Sequence, residues 1–124
     1  MRSAGPTILV VEDNILNLKL FGDLLHAHGY RTLLSRRGEE ALTLARRHRP
    51  DLILLDLQLP EISGLEVATR LRADSELSDI PVIAVSAFTL MSDLERLFGA
   101  GCDAYCQKPI SADELLTTVR RLLH

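Results

Sequence analysis

The stretch that most restricts what this chain can fold into is Pro50-Asp51-Leu52-Ile53-Leu54-Leu55-Asp56-Leu57-Gln58-Leu59-Pro60. Leu52 to Leu55 are four aliphatic residues without polar alternation, bounded by Pro50 on one side and the breaker cluster Pro60 to Gly64 on the other. Successive side chains of a strand point to opposite faces, so a half-exposed strand would alternate. A short unbroken apolar run with such flanks is instead a strand covered on both faces, as in the middle of a parallel sheet. Asp56 falls at the carboxyl end of that strand, where open α/β sheets bind ligands. A lone aspartate there also has a plainer reading, as the end of a strand or the cap of a turn. What the other strands deliver to the same edge decides between the two.

Thr7 to Val11 is a second unalternating run. It ends in Glu12-Asp13, followed by Asn14, a good N-cap for a helix that runs to about His28 and stops at Gly29. Leu18, Phe21 and Leu25 share one face of that helix, with Leu24 beside them. The two acids would suit a helix start, but charge placed directly after a buried strand points to a site. Tyr30 to Ser35 reads as a less apolar strand, nearer an edge. Gly38-Glu39-Glu40 opens a helix through about His48, with Ala41, Leu44 and Ala45 inward. Ser63-Gly64 leads a helix to about Ala73, with Leu65, Ala68 and Leu71 available for packing.

Pro81 to Val85 is another buried-type strand, leading into Ser86-Ala87. Leu90, Leu94 and Leu97, with Phe98 adjacent, have helical spacing up to the stop at Gly99-Ala100-Gly101. Asp103 to Gln107 is a short last strand ending in Lys108-Pro109. Ser111 and Glu114 form a capping box for the final helix, Ile110 can staple onto Leu115, and Leu115, Val119 and Leu122 form its apolar stripe.

The pattern is five βα units, hence an α/β fold with a doubly wound five-stranded parallel sheet. At 124 residues it is expected to be a single domain spanning 1–124, with no linker or second domain left over. No apolar run approaches the ~18 residues of a membrane span. A net charge of −3 argues against nucleic acid as a partner. Arg36, Arg37, Arg46, Arg47 and Arg49 are scattered among acids, as on a solvated face. Cys102 and Cys106, without nearby histidines, read as free thiols of a cytoplasmic protein.

With the flavodoxin-like strand order 2-1-3-4-5, the carboxyl ends of the strands bring Glu12, Asp13, Asp56, Ser86 and Lys108 to one edge. Neighbouring carboxylates repel, which favours a hard divalent cation, Mg²⁺ in the first place and Mn²⁺ as an alternative. A hydroxyl and an ammonium opposite complete a pocket for a dianionic phosphoryl group. Phosphoryl transfer requires positioning and charge neutralisation more than covalent assistance, and one carboxylate nucleophile completes that set.

The segments Val10-Val11-Glu12-Asp13-Asn14, Asp56 to Gly64 with Pro60, Val85-Ser86-Ala87 and Lys108-Pro109 resemble those of bacterial two-component response-regulator receiver domains. The resemblance covers the whole chain. Glu12-Asp13-Asn14 with Asn17, and Gly101 to Tyr105, are similar to single-domain cell-cycle regulators, although receivers inside hybrid histidine kinases share part of that wording. The resemblance implies that Asp56 accepts the phosphoryl group from a histidine kinase or histidine phosphotransfer protein, with slow autodephosphorylation the only activity of its own. It implies Mg²⁺ on Asp13, Asp56 and the Gln58 backbone carbonyl, with Glu12 through water. Lys108 would neutralise a phosphoryl oxygen next to a cis peptide at Pro109. Ser86 would bond the phosphoryl group, and Tyr105 would be an aromatic switch rather than a plain strand aromatic. A stand-alone receiver must signal by protein contact, and the expected surface is the Leu90–Phe98 helix, the Tyr105 strand and the Ser111–Leu123 helix. Two departures stand out: Ser86 where threonine is common, and Leu57 where methionine or isoleucine is frequent.

Two other classes compete. A haloacid-dehalogenase-type phosphohydrolase would carry a second aspartate two residues after Asp56, where Gln58 stands. A flavodoxin-like nucleotide binder would need a phosphate loop after the first strand, where Glu12 and Asp13 would repel phosphate.

Overall fold

In the computed structural model, the described residues are 5–87, 95, 96 and 98–123. Five parallel strands, β1 (Thr7–Val11), β2 (Arg31–Ser35), β3 (Leu52–Asp56), β4 (Val82–Ser86) and β5 (Ala104–Gln107), form one sheet in the order β2-β1-β3-β4-β5. They alternate with α1 (Ile15–Ala27), α2 (Gly38–His48) and α3 (Gly64–Ala73), and α4 (Ala112–Leu123) follows β5. Most of the expected Leu90–Phe98 helix, including Leu90, Met91, Leu94 and Leu97, lies outside the described residues. Residues 95, 96, 98 and 99 are helical, and Phe98 is exposed.

The unalternating runs are explained by helices on both faces. Leu9, Val11, Ile53, Leu55, Val82 and Ala84 pack with Ala41, Leu42 and Ala45 of α2 and Val67, Ala68 and Leu71 of α3. The intervening residues Ile8, Val10, Leu52, Leu54, Ile83 and Val85 pack with Leu18 and Leu25 of α1 and Leu115, Leu116 and Val119 of α4. Every residue of β3 is buried, and each of its aliphatic side chains contributes about 1.5–3 kcal/mol by leaving water. The helix faces are wider than the expected stripes: Leu42, Val67 and Leu116 are buried, while Leu44, Leu65 and Leu122 pack only at the margins. A helix covering a sheet buries an arc of at least 100°, so residues beside the i, i+3, i+4 line are drawn in.

Local signals fix the element ends. Asn14 Oδ1 accepts from Asn17 N–H at 3.1 Å, Ser63 Oγ from Glu66 N–H at 3.1 Å, and Ser111 Oγ from Glu114 N–H at 3.0 Å. Each of these bonds satisfies one orphan donor of a helix start. Ile110 and Leu115 join the same apolar cluster, as a staple requires. At the other pole the Arg72 guanidinium donates to the carbonyls of Ser78, Ile80 and Gly101, and meets Asp103 at 2.7 Å. It ties the end of α3 to the approaches of β4 and β5. Both cysteines are buried, and burial pushes the Cys102 thiol up to about 11, which leaves almost no thiolate at neutral pH.

Strand register carries this frame to the functional edge. Val11 pairs with Leu55, Asp56 with Val85, and Ser86 with Gln107. Glu12, Asp56, Ser86 and Lys108 therefore emerge at one level. The loop after Asp56 closes on itself through Gly64 N–H to Leu57 O at 3.0 Å. A Cβ on Gly64 would press on the Asp56 carbonyl and lie 2.7 Å from Leu57 Cα, whereas one on Gly99 would meet nothing within 4 Å. Gly64→Ala should therefore destabilise the fold by about 1–3 kcal/mol, and Gly99→Ala should leave it unchanged or slightly firmer. Urea unfolding of both variants checks this, and equal losses would show that the loop does not depend on that close approach.

Candidate functional site

Glu12 is 2% exposed and Asp56 4% exposed, two carboxylates buried beside each other at the ends of β1 and β3. Lys108, directly after β5, stands between them, its Nζ 2.7 Å from Glu12 Oε1 and 3.2 Å from Asp56 Oδ2. The Lys108–Pro109 peptide is cis. Asp56 Oδ1 accepts from Gln58 N–H at 3.0 Å, and Glu12 Oε2 from Asn14 N–H at 3.0 Å. Glu12 Oε1, fully shielded from solvent, accepts no directional hydrogen bond and relies on its charge contact with Lys108.

The electrostatics follow from this burial. Loss of water raises the Glu12 carboxyl above its ordinary value, and the charge of Asp56 adds to this. Lys108 and the Asn14 N–H pull it down without cancelling the rise. For Lys108 burial acts to lower the pKa, but Glu12 and Asp56 outweigh it and hold the ammonium above its ordinary value. One cation is shared by two buried anions.

The remaining sequence-predicted residues are placed differently. Asp13 is exposed, and its carboxylate faces Arg36, with Arg36 Nη2 3.9 Å from Oδ1. Ser86 is the last residue of β4 and buried, one position later than the expected end of that strand at Val85. Its carbonyl accepts from Lys108 N–H at 2.8 Å and from Tyr105 Oη at 3.2 Å. Tyr105 is half-buried on β5. The Gln58 peptide sits against Asp56 through its N–H.

Among the described residues, no three His, Cys, Asp or Glu side chains are gathered closely enough to hold a metal ion. Lys108 occupies the space between two of the acids, and Asp13 is turned to Arg36. The donor set nevertheless suits a hard cation. It is all oxygen, the buried Glu12 Oε1 has Lys108 as its ionic partner, and Lys108 compensates only one of the three carboxylate charges.

Sequence reasoning missed the surface flanking this site. Ile15, Leu16 and Leu20 of α1 are exposed, at 59%, 69% and 63%. Asn17, Leu20, Phe21 and Leu24 line a cavity of about 570 Å³ with Ala87, Lys108, Pro109 and Ile110. The signal was present: the first two turns of α1 carry more apolar residues than one buried face can hold.

Strand order reverses between β1 and β3, and Asp56 stands at the crevice this opens. A carboxylate presented there opposite a lysine sets an oxygen nucleophile beside a countercharge for an incoming anion. The chain belongs to the response regulator receiver domain family, whose sequence profile matches residues 8–120. It is 56% identical to the polar-differentiation response regulator DivK of Brucella anthropi over 94% of this chain and 95% of that protein. The corresponding protein of Brucella abortus strain 2308 is 55% identical over the same shares. Among solved structures, a chemotaxis protein of Vibrio cholerae superposes with a TM-score of 0.92 at 27% identity, covering 97% of this chain and 100% of that one. The receiver domain of a Pseudomonas aeruginosa sensor histidine kinase, whose structure has a magnesium ion coordinated in the active site cleft, does so at 0.89 and 36% identity, covering 97% and 98%. The protein is thus a two-component signalling domain with the five-stranded receiver fold.

Lys108→Met tests the shared cation. Without the ammonium, two buried carboxylates face each other and one should keep its proton near neutral pH. Because the site opens at the strand-end crevice, the expected loss in the metal-free protein is about 1–3 kcal/mol. Adding Glu12→Gln should restore much of it. Urea unfolding at pH 7 decides, and an unchanged midpoint in Lys108→Met would show that solvent, not Lys108, balances the acids.

Proposed function

We propose that Asp56 is the phosphoacceptor of a DivK-like regulator that takes its phosphoryl group from a phosphohistidine. The observation that carries this reading is the placement of Asp56 at the switch-point crevice, 3.2 Å from Lys108 Nζ. A carboxylate oxygen of Asp56 attacks phosphorus while the P–N bond of the donor breaks, and the imidazole leaves with the electron pair and takes up a proton. Lys108 offers its ammonium to a phosphoryl oxygen, and Ser86 offers its hydroxyl to another. Asp13, Asp56 and the Gln58 carbonyl would hold Mg²⁺, with Glu12 acting through water, and the ion would supply charge neutralisation when bound; Mn²⁺ is the alternative ion. The domain supports its own phosphorylation and slow dephosphorylation and has no other activity.

The donor, a histidine kinase or histidine phosphotransfer protein, approaches over the exposed Ile15, Leu16 and Leu20, the apolar ground beside the crevice. Output is protein contact through the Tyr105 strand, α4 and the segment from Leu90 to Phe98. By likeness to the polar-differentiation regulators, that output serves cell polarity or the cell cycle in the cytoplasm. A receiver excised from a hybrid kinase is the second reading, favoured by the 36% identity to such a domain.

Incubation with acetyl phosphate and Mg²⁺, followed by mass spectrometry, tests the acceptor. Label should map to Asp56, and Asp56→Asn should lose it while keeping the fold. Stable labelling of that variant at the wild-type level would remove Asp56 from the role.

Switching has a route through Ser86, whose carbonyl accepts from both Lys108 N–H and the Tyr105 hydroxyl. Drawing Ser86 toward a phosphoryl oxygen strains the Tyr105 bond and frees the ring to take another rotamer. A phosphoryl group shifts that equilibrium only by binding one state better. Ser86→Ala should therefore accept beryllofluoride but lose most of the gain in partner affinity. Binding measured with and without beryllofluoride checks this, and equal gains in both proteins would exclude the hydroxyl from switching.

A further inference from the structure

Strand β2 brings none of the residues assigned above, yet its end holds the loop that follows β1. Glu12 N–H donates to Ser35 O at 3.0 Å, and Arg36 Nε donates to Asp13 O at 3.0 Å. The same guanidinium approaches the Asp13 carboxylate, with Nη2 3.9 Å from Oδ1 and both side chains 51% exposed. We propose that Arg36 competes with the cation for the Asp13 carboxylate in the metal-free protein and so raises the Mg²⁺ concentration needed to load the site. This inference rests on the reading of Asp13 as a metal ligand.

Two effects of Arg36 oppose each other. Its bond to the Asp13 carbonyl steadies the loop and would favour metal binding. Its charge competes for the carboxylate and repels a divalent cation. The loop is already held on either side, by Glu12 N–H on Ser35 O and by Asn14 N–H on Glu12 Oε2. Losing the Arg36 bond therefore shifts Asp13 little, and the charge decides the sign. An exposed ion pair of this kind is weak, so the expected effect is a factor of about two to five rather than orders of magnitude.

The experiment titrates the metal-free full chain with Mg²⁺ alone, by calorimetry and by the rise in unfolding midpoint. Three variants separate the effects. Arg36→Gln removes the charge, Arg36→Lys keeps the charge without the Nε bond, and Arg36→Gln in an Asp13→Asn background removes the carboxylate as well. Arg36→Gln should bind Mg²⁺ about two- to fivefold more tightly than wild type, and Arg36→Lys should stay close to wild type. The advantage of Arg36→Gln should shrink toward none at about 0.5 M salt, and should vanish in the Asp13→Asn background. Equal or weaker binding by Arg36→Gln, or equal losses in the Gln and Lys variants, overturns the proposal. If wild type takes up no Mg²⁺ at millimolar concentrations, the metal-ligand reading of Asp13 fails and this inference falls with it.

Discussion

A single ammonium between two buried carboxylates is the interaction on which the functional edge depends. Glu12 and Asp56 leave water because the strands that carry them are covered on both faces. Buried like charges a few ångströms apart are costly unless something compensates them. Lys108 does so from the far edge of the sheet, and therefore binds β5 electrostatically to β1 and β3. Compensation is incomplete, as the raised Glu12 carboxyl records. A site left short of positive charge suits a hard cation.

Ser86 is the mechanical counterpart of that electrostatic link. Its carbonyl accepts from both Lys108 N–H and the Tyr105 hydroxyl, so one residue of β4 joins the lysine that meets the two acids to the aromatic of β5. Packed strands transmit small displacements because interiors are dense and side chains move between discrete rotamers.

The outer walls of the site divide into two kinds of surface. On the α1 side, Ile15, Leu16 and Leu20 leave apolar side chains exposed. On the β2 side, Ser35 and Arg36 grip the acidic loop by its backbone, and the guanidinium reaches the Asp13 carboxylate. Strand β2 thus contributes restraint, where β1, β3 and the opposite edge strand β5 bring Glu12, Asp56 and Lys108 together. The division follows from order: β2 lies beyond β1 and away from the crevice between β1 and β3.

The sequence by itself determined the architecture and the list of reactive groups. Unbroken runs such as Leu52–Leu55 admit only strands covered on both faces, and polar residues directly after them must fall at the carboxyl edge. Strand ends shifted by a single residue, at Arg31, Val82 and Ala104, because ladder hydrogen bonds with neighbours define those ends. The less apolar Tyr30–Ser35 run suited an edge, where β2 lies, whereas the order of the other four strands came from the flavodoxin-like pattern and not from the residues. Only the tertiary structure decided which charges meet. Nothing in the spacing says that Lys108 lies between Glu12 and Asp56, that Asp13 turns to Arg36, or that α1 leaves Leu16 and Leu20 uncovered. Periodicity reports which face of an element is apolar, whereas charge partners depend on how far and in which direction long side chains reach across elements distant in the chain. That reach is set only when the register of all five strands is in place.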